Sequence, residues 1–193
     1  MITLCDTISI NAAPEEIFDF FVHFRENFDA WHPDHVRCWY LEEGPLREGS
    51  VFYVEEYVGE ELLTLKFLVT RLLEYSRIEY TVSRMASGAF ITEPRGANTS
   101  FTAEIYFGTT MPLLGSLLDK ILKRFMSHRL RALEEHMVDE GRNLKMILEQ
   151  GTQWRSSDTE GVSRHMAGAR VLGHPDYLAC SSTHLLGPYE FRA

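Results

Sequence analysis

The chain has 193 residues, of which 45% are hydrophobic and 12% aromatic, with a formal charge of −9 at pH 7. That is enough apolar material for one sizeable core, and one domain plus a tail fits better than two domains. The negative charge argues against a nucleic-acid surface, which needs clustered Lys and Arg, and against adsorption to acidic membranes. No run approaches the roughly 18–20 apolar residues of a membrane span. The start, MITLCDTISI, lacks the basic opening and long apolar stretch of a secretion signal. Cys5, Cys38 and Cys180 are widely spaced and form no CxxC pair, so they read as reduced thiols of a cytoplasmic protein.

Residues 2–12 alternate loosely and predict a first strand. Ala12-Ala13-Pro14-Glu15-Glu16 then opens a helix, with proline in the first turn and acids where the helix dipole favours them. Phe18, Phe20 and Phe21 make that helix apolar, and 23–35 reads as a second short helix running into a loop at Pro33. Strands are expected at 36–42, 51–58, 61–73, 77–84, 89–93 and 99–108, separated by Gly, Pro and Ser punctuation too short for crossover helices. From Pro112 to Glu149 the period turns helical without an internal proline. After Gln150 it fails, so 1–150 is expected to fold as one domain and 151–193 to be an irregular or disordered tail. His165, His174 and His184 fall in that tail as ordinary surface histidines.

One strand, two short helices, six strands and a long helix make an α+β order in which the helix covers the apolar face of a seven-stranded antiparallel sheet. This order, with the opening NAAPEEIFDFF, resembles the START/Bet v 1-like (SRPBCC, polyketide cyclase/dehydrase) superfamily over about residues 1–150. The resemblance implies a helix-grip fold with a cavity for a small hydrophobic or aromatic ligand.

Three groups of polar residues fall where the core should be. At about 100° per residue, Leu118, Leu122, Met126, Leu130, Leu133, Met137, Leu144, Ile147 and Leu148 form one helical stripe, with Glu140 near its middle and His136 one turn earlier. Residues four apart stand over one another, and a carboxylate in an apolar face is costly unless paired, protonated or metal-bound. Two plainer readings stand beside this: Glu140 reaches water near a helix end loosened by Gly141, or it pairs with His136 or Arg129. Trp31-His32-Pro33-Asp34-His35 sets two histidines three apart where the short helices pass into the sheet. In Val51–Val58 the more apolar parity, Phe52, Val54 and Val58, carries Glu56, and the other carries Glu55.

His and Glu in a mixed nitrogen and oxygen set suit zinc, with manganese or iron as alternatives. On HMVDEGRNLK, with its His-x-x-x-Glu pair, the chain also resembles the diacetylphloroglucinol hydrolases, which are Bet v 1-like zinc enzymes. That resemblance implies a metal set of His136, Glu140, His32 (or His35) and Glu56 (or, less favoured, Glu55). The free histidine of the pair, taken as His35, or Glu56 where it is not a ligand, is the candidate proton-transfer group, since His titrates near neutral pH. It also implies hydrolysis of a carbon–carbon bond between an acyl group and an aromatic ring. Tyr53, Tyr57, Tyr80 and Tyr106 are candidate donors to a ligand oxygen. A metal-free ligand carrier or polyketide cyclase/dehydratase of the same fold is the alternative, and an interaction module is a third. Phosphate loops, GxSxG elbows and HExxH zinc motifs are absent from the sequence.

Overall fold

The computed structural model describes residues 2–108 and 127–150. In chain order these form β1 (Ile2–Ile10), α1 (Pro14–Val22), α2 (Phe24–Trp31), β2 (His35–Tyr40), β3 (Val51–Val58), β4 (Glu61–Leu73), β5 (Arg77–Ser83), β6 (Ala86–Arg95), β7 (Asn98–Phe107) and α3 (Ser127–Glu149). The expected helix-grip α+β fold is observed. The helix start at Pro112, the stripe residues Leu118, Leu122 and Met126, and everything after Gln150 lie outside the described residues.

The strands make one antiparallel sheet in the order β1-β7-β6-β5-β4-β3-β2, so the first strand closes against the last and all other pairs are hairpin neighbours. Between β1 and β2 the chain leaves the sheet for α1 and α2. Glu16 turns back to accept a hydrogen bond from the Ala13 amide at 2.9 Å, half of a capping box, while Pro14 supplies the pre-set first turn. α2 stops at His32 because the residue before a proline is forced extended (φ −146°, ψ 140°).

The core lies between the sheet, the two short helices and α3. Phe21 is its centre: its ring stacks on Phe90 and Phe101 and meets Trp31 edge-on, with ring centroids 4.4–5.5 Å apart. α3 crosses β1 closely at Gly141, which is buried within the helix and does not loosen its end. A Cβ there would stand 2.9 Å from Asp6 Oδ2. The stripe residues Met137 and Leu144 are buried, and Leu130, Leu133, Ile147 and Leu148 are half-buried. Lys145 donates to the Ser9 carbonyl and Glu149 accepts from the Asn11 amide, tying the end of α3 to the end of β1.

Cys38 is a free thiol, half-buried, and burial pushes it up to about 12. Cys5 is disulfide-bonded, a correction to the expectation of three reduced cysteines. Thiol spacing in sequence does not report which chain segments meet in space. No helix of the described residues is long and apolar enough to cross a membrane.

Replacing Phe21 by Ala removes the hub of the aromatic cluster and is expected to cost about 3–5 kcal/mol. Urea unfolding followed by tryptophan fluorescence measures it, and a loss below about 1 kcal/mol would mean the cluster is not the core it is taken to be.

Candidate functional site

Three elements aim polar side chains into the space between sheet and helix. On β3, Phe52, Val54 and Glu56 point inward and are buried, so Glu56 takes the place of a core residue. Glu55 faces out, where Arg37 holds it through two hydrogen bonds of 2.9 Å. α3 brings His136 and Glu140 to the same side, one turn apart. Arg129 pairs with Glu61 at 2.7 Å, not with Glu140.

The third contribution depends on an irregularity in β2. His35 pairs in register with Glu56, Arg37 with Glu55 and Cys38 with Val54, so Val36 is the extra residue of a β-bulge. A regular strand would place His35 on the outer face with Arg37 and Trp39. The bulge re-aims it inward, leaving Val36 exposed. The His35 ring then stacks flat on Phe28, centroids 3.9 Å apart, and donates from Nδ1 to the Phe28 carbonyl at 2.6 Å. Because a carbonyl only accepts, the neutral ring keeps its lone pair on Nε2, which faces the cluster. His32 is held the other way. Its Nδ1 accepts from the Asp34 amide at 3.1 Å, so the neutral ring carries its proton on Nε2.

The distances at the centre are consistent. His35 Nε2 lies 3.2 Å from Glu140 Oε1 and 3.7 Å from Glu56 Oε2, and His136 Nε2 lies 3.7 Å from the same Glu140 oxygen. One ring nitrogen each of His32, His35 and His136 fall within 4.8 Å of one another, a buried triad that could hold a metal ion. His136 Nε2 is fully buried with no hydrogen-bond partner. Two of the three nitrogen–oxygen separations are too long for good hydrogen bonds. All three are close to the edge of a tetrahedron with metal–ligand bonds of about 2.0–2.2 Å, which is about 3.3–3.6 Å. The Trp31 indole donates to the Glu140 backbone carbonyl at 2.9 Å and so fixes α3 against the end of α2.

Burial shifts every titratable group of the cluster toward its neutral form. Glu140 is pushed up to about 8 by desolvation, and Glu56 to about 7 by desolvation first and the Glu140 carboxylate second, against His35. Desolvation drives His136 down to about 3, with His32 and His35 adding to it, and also lowers His32 and His35.

The cluster opens into a cavity of about 480 Å³ walled by Phe24, Phe52, Phe67, Tyr80, Phe90 and Leu133 among others, with Glu56, His136 and Glu140 in its lining. Of the four tyrosines singled out in the sequence, Tyr80 alone lines it. Tyr53 lies on the outer face stacked on Trp39, Tyr57 is exposed, and Tyr106 donates to Glu104.

Sheet, gripping helix and the largely apolar hollow between them together define the helix-grip class. A family model described as polyketide cyclase / dehydrase and lipid transport matches residues 1–138, and the chain belongs to that family. Among solved structures, the KanY protein is similar over 77% of this chain and 97% of its own, at 14% identity and a TM-score of 0.60. The Aha1 dimer from Colwellia psychrerythraea shares 18% identity over 77% of this chain and 97% of its own, with a TM-score of 0.53. The di-domain ARO/CYC StfQ of the steffimycin biosynthetic pathway is matched over 77% of this chain and 51% of its own, at 15% identity and a TM-score of 0.52. At these identities the likeness is one of fold. No curated protein matches.

The shifts set a pH dependence for chelator-treated protein. Glu56 and Glu140 bind protons more tightly folded than at their ordinary value of 4.5. Their stabilising contribution is complete below about pH 4.5 and disappears as pH rises through about 7 and 8. His136 has the opposite sign: its contribution is present above 6.5 and fades as pH falls toward 3. Melting temperature should therefore drop from pH 6.5 to 9 in the wild type and drop less in Glu140→Gln. Equal slopes in the two proteins would mean that Glu140 is not a buried acid.

Proposed function

We propose that the protein is a metal-dependent hydrolase of small, largely apolar aromatic ketones. The observation that carries this reading is the partnerless His136 Nε2 in a buried triad with His32 and His35, with Glu140 within 3.7 Å of His136 and 3.2 Å of His35, and Glu56 within 3.7 Å of His35. The donor set is two imidazole nitrogens and two carboxylates, which suits zinc. The residues that would hold the ion are His35, His136, Glu56 and Glu140. This exchanges the roles the sequence suggested for the two loop histidines, because the His35 ring offers its lone pair to the centre whereas His32 offers a proton. The Phe28 carbonyl fixes the His35 tautomer, as partners of metal-bound histidines do.

A bound zinc supplies polarisation of a ketone oxygen and a water of lowered pKa. The protein's own groups supply the remainder. The aromatic walls bury and orient the ring and exclude bulk water. Hydrolysis of an aryl–acyl bond adds water across it: the acyl carbon gains the oxygen and leaves as a carboxylic acid, and the ring carbon gains a proton. His32, with its ring centroid 4.2 Å from that of His136 and its proton on Nε2, is the group placed to hold that proton.

A metal-free reading is favoured by a different observation, the size and apolarity of the cavity in a family whose description includes lipid transport. Protonated Glu56 and Glu140 would then neutralise the cluster, and the protein would carry a hydrophobic ligand or act as a cyclase/dehydratase.

Elemental analysis of purified protein separates the two. About one equivalent of zinc is expected in the wild type, with loss of metal and of acid release from acylated polyphenols in His136→Ala and Glu140→Ala. Folded wild-type protein without metal would sink the hydrolase reading and leave the carrier.

A further inference from the structure

Tyr80 sits on β5 directly opposite Gly88 of β6. The missing side chain at Gly88 is filled by the tyrosine itself: a Cβ there would lie 2.5 Å from both Cζ and the hydroxyl oxygen of Tyr80, and 2.6 Å from the Glu104 carbonyl. The phenol ring therefore lies flat along the sheet, with its hydroxyl end over β6, between Phe67 and Phe90 at centroid distances of 5.2 and 5.4 Å. Tyr80 is only 8% exposed and lines the cavity, yet its hydroxyl has no hydrogen-bond partner among the described residues. A phenol hydroxyl at a cavity wall with no protein partner is free to donate to an acceptor on a bound molecule. Nothing else in the cavity wall requires an oxygen at that point, since phenylalanine would fill the same space.

We infer that the Tyr80 hydroxyl is a ligand anchor, donating a hydrogen bond to a carbonyl or phenolic oxygen of the molecule held in the cavity, and that Gly88 is the positioning residue that lays its ring down. The inference rests on the ligand-cavity part of the proposed function and not on the metal. Burial first, and then the nearby Glu140 and Glu56 carboxylates, push the phenol's pKa up and favour its donor form. The ligand it selects has an aromatic body, to lie among Phe52, Phe67 and Phe90, and an oxygen acceptor directed at the sheet. A plain hydrocarbon chain would leave the hydroxyl unpaired.

Two probes of the same shape test this: 2-acetylnaphthalene, which has the acceptor, and 2-ethylnaphthalene, which lacks it. Their affinities are measured by calorimetry against the full-length protein as purified. The wild type should favour the ketone by about tenfold, the size of one buried hydrogen bond. Tyr80→Phe should abolish that preference while leaving the affinity for 2-ethylnaphthalene unchanged, which also shows that the cavity is intact. Gly88→Ala, which displaces the ring, should weaken the preference too. A preference that survives in Tyr80→Phe overturns the anchor alone and leaves the cavity reading standing. Failure of both probes to bind the wild type overturns the cavity reading and the anchor with it.

Discussion

Carboxylates and imidazoles are expensive to take out of water, and this domain takes two of one and three of the other into an aromatic interior. A single buried, unpaired ion would cost several kcal/mol even after relaxation. The protein meets that cost in two ways. Desolvation moves each group toward its neutral form, raising both acids and lowering all three histidines. His35 and His136 also stand 3.2–3.7 Å from Glu56 or Glu140, where such groups can share a proton or a cation. The rest of the architecture is what keeps them there.

Three separate pieces of chain must deliver their side chains to one point. β3 does so by parity alone, and α3 does so by the rise of one helical turn. The His-Pro-Asp-His segment needs more: Pro33 ends α2, the bulge at Val36 turns His35 inward, and Phe28 supports its ring from below while accepting its Nδ1 proton. Trp31 links this segment to α3 through the Glu140 carbonyl, so the loop and helix contributions cannot drift apart independently. Gly141 allows the helix to lie close over β1 at the very residue after Glu140.

This division also explains what could be read without a structure. The order of strands and helices was legible because hydrophobic period and turn residues mark elements strongly. His136 and Glu140 were legible because a polar pair interrupts an apolar stripe at helical spacing. Glu56 followed from the alternation of Phe52 and Val54. The choice between His32 and His35 was not, since a one-residue bulge reverses the facing of everything before it and leaves no mark in composition. Tyr80 could be named but not separated from Tyr53, Tyr57 and Tyr106. What separates it is its register with Gly88, a long-range fact of strand pairing. The alternative in which Gly141 loosens the helix end does not hold, since Gly141 is buried as a point of close packing against β1.

The two halves of the interior are chemically unlike, and that contrast bears on how a ligand would be handled. At one end stand His136, Glu56 and Glu140, and much of the remaining wall is apolar, with Phe24, Phe52, Phe67 and Phe90 beside a few polar side chains such as Lys66 and Arg129. A ligand wholly apolar would gain from the walls and leave the cluster and Tyr80 unanswered. A ligand wholly polar would pair with the cluster but forfeit the burial of its body. A molecule divided in the same way, such as the aromatic ketone of the proposed function, would satisfy both ends at once. Polar groups inside a hydrophobic pocket discriminate mainly by what they reject, because an unanswered buried donor or acid is penalised more heavily than an answered one is rewarded. On the proposed function, the cavity would choose among aromatic ligands by the placement of their oxygens.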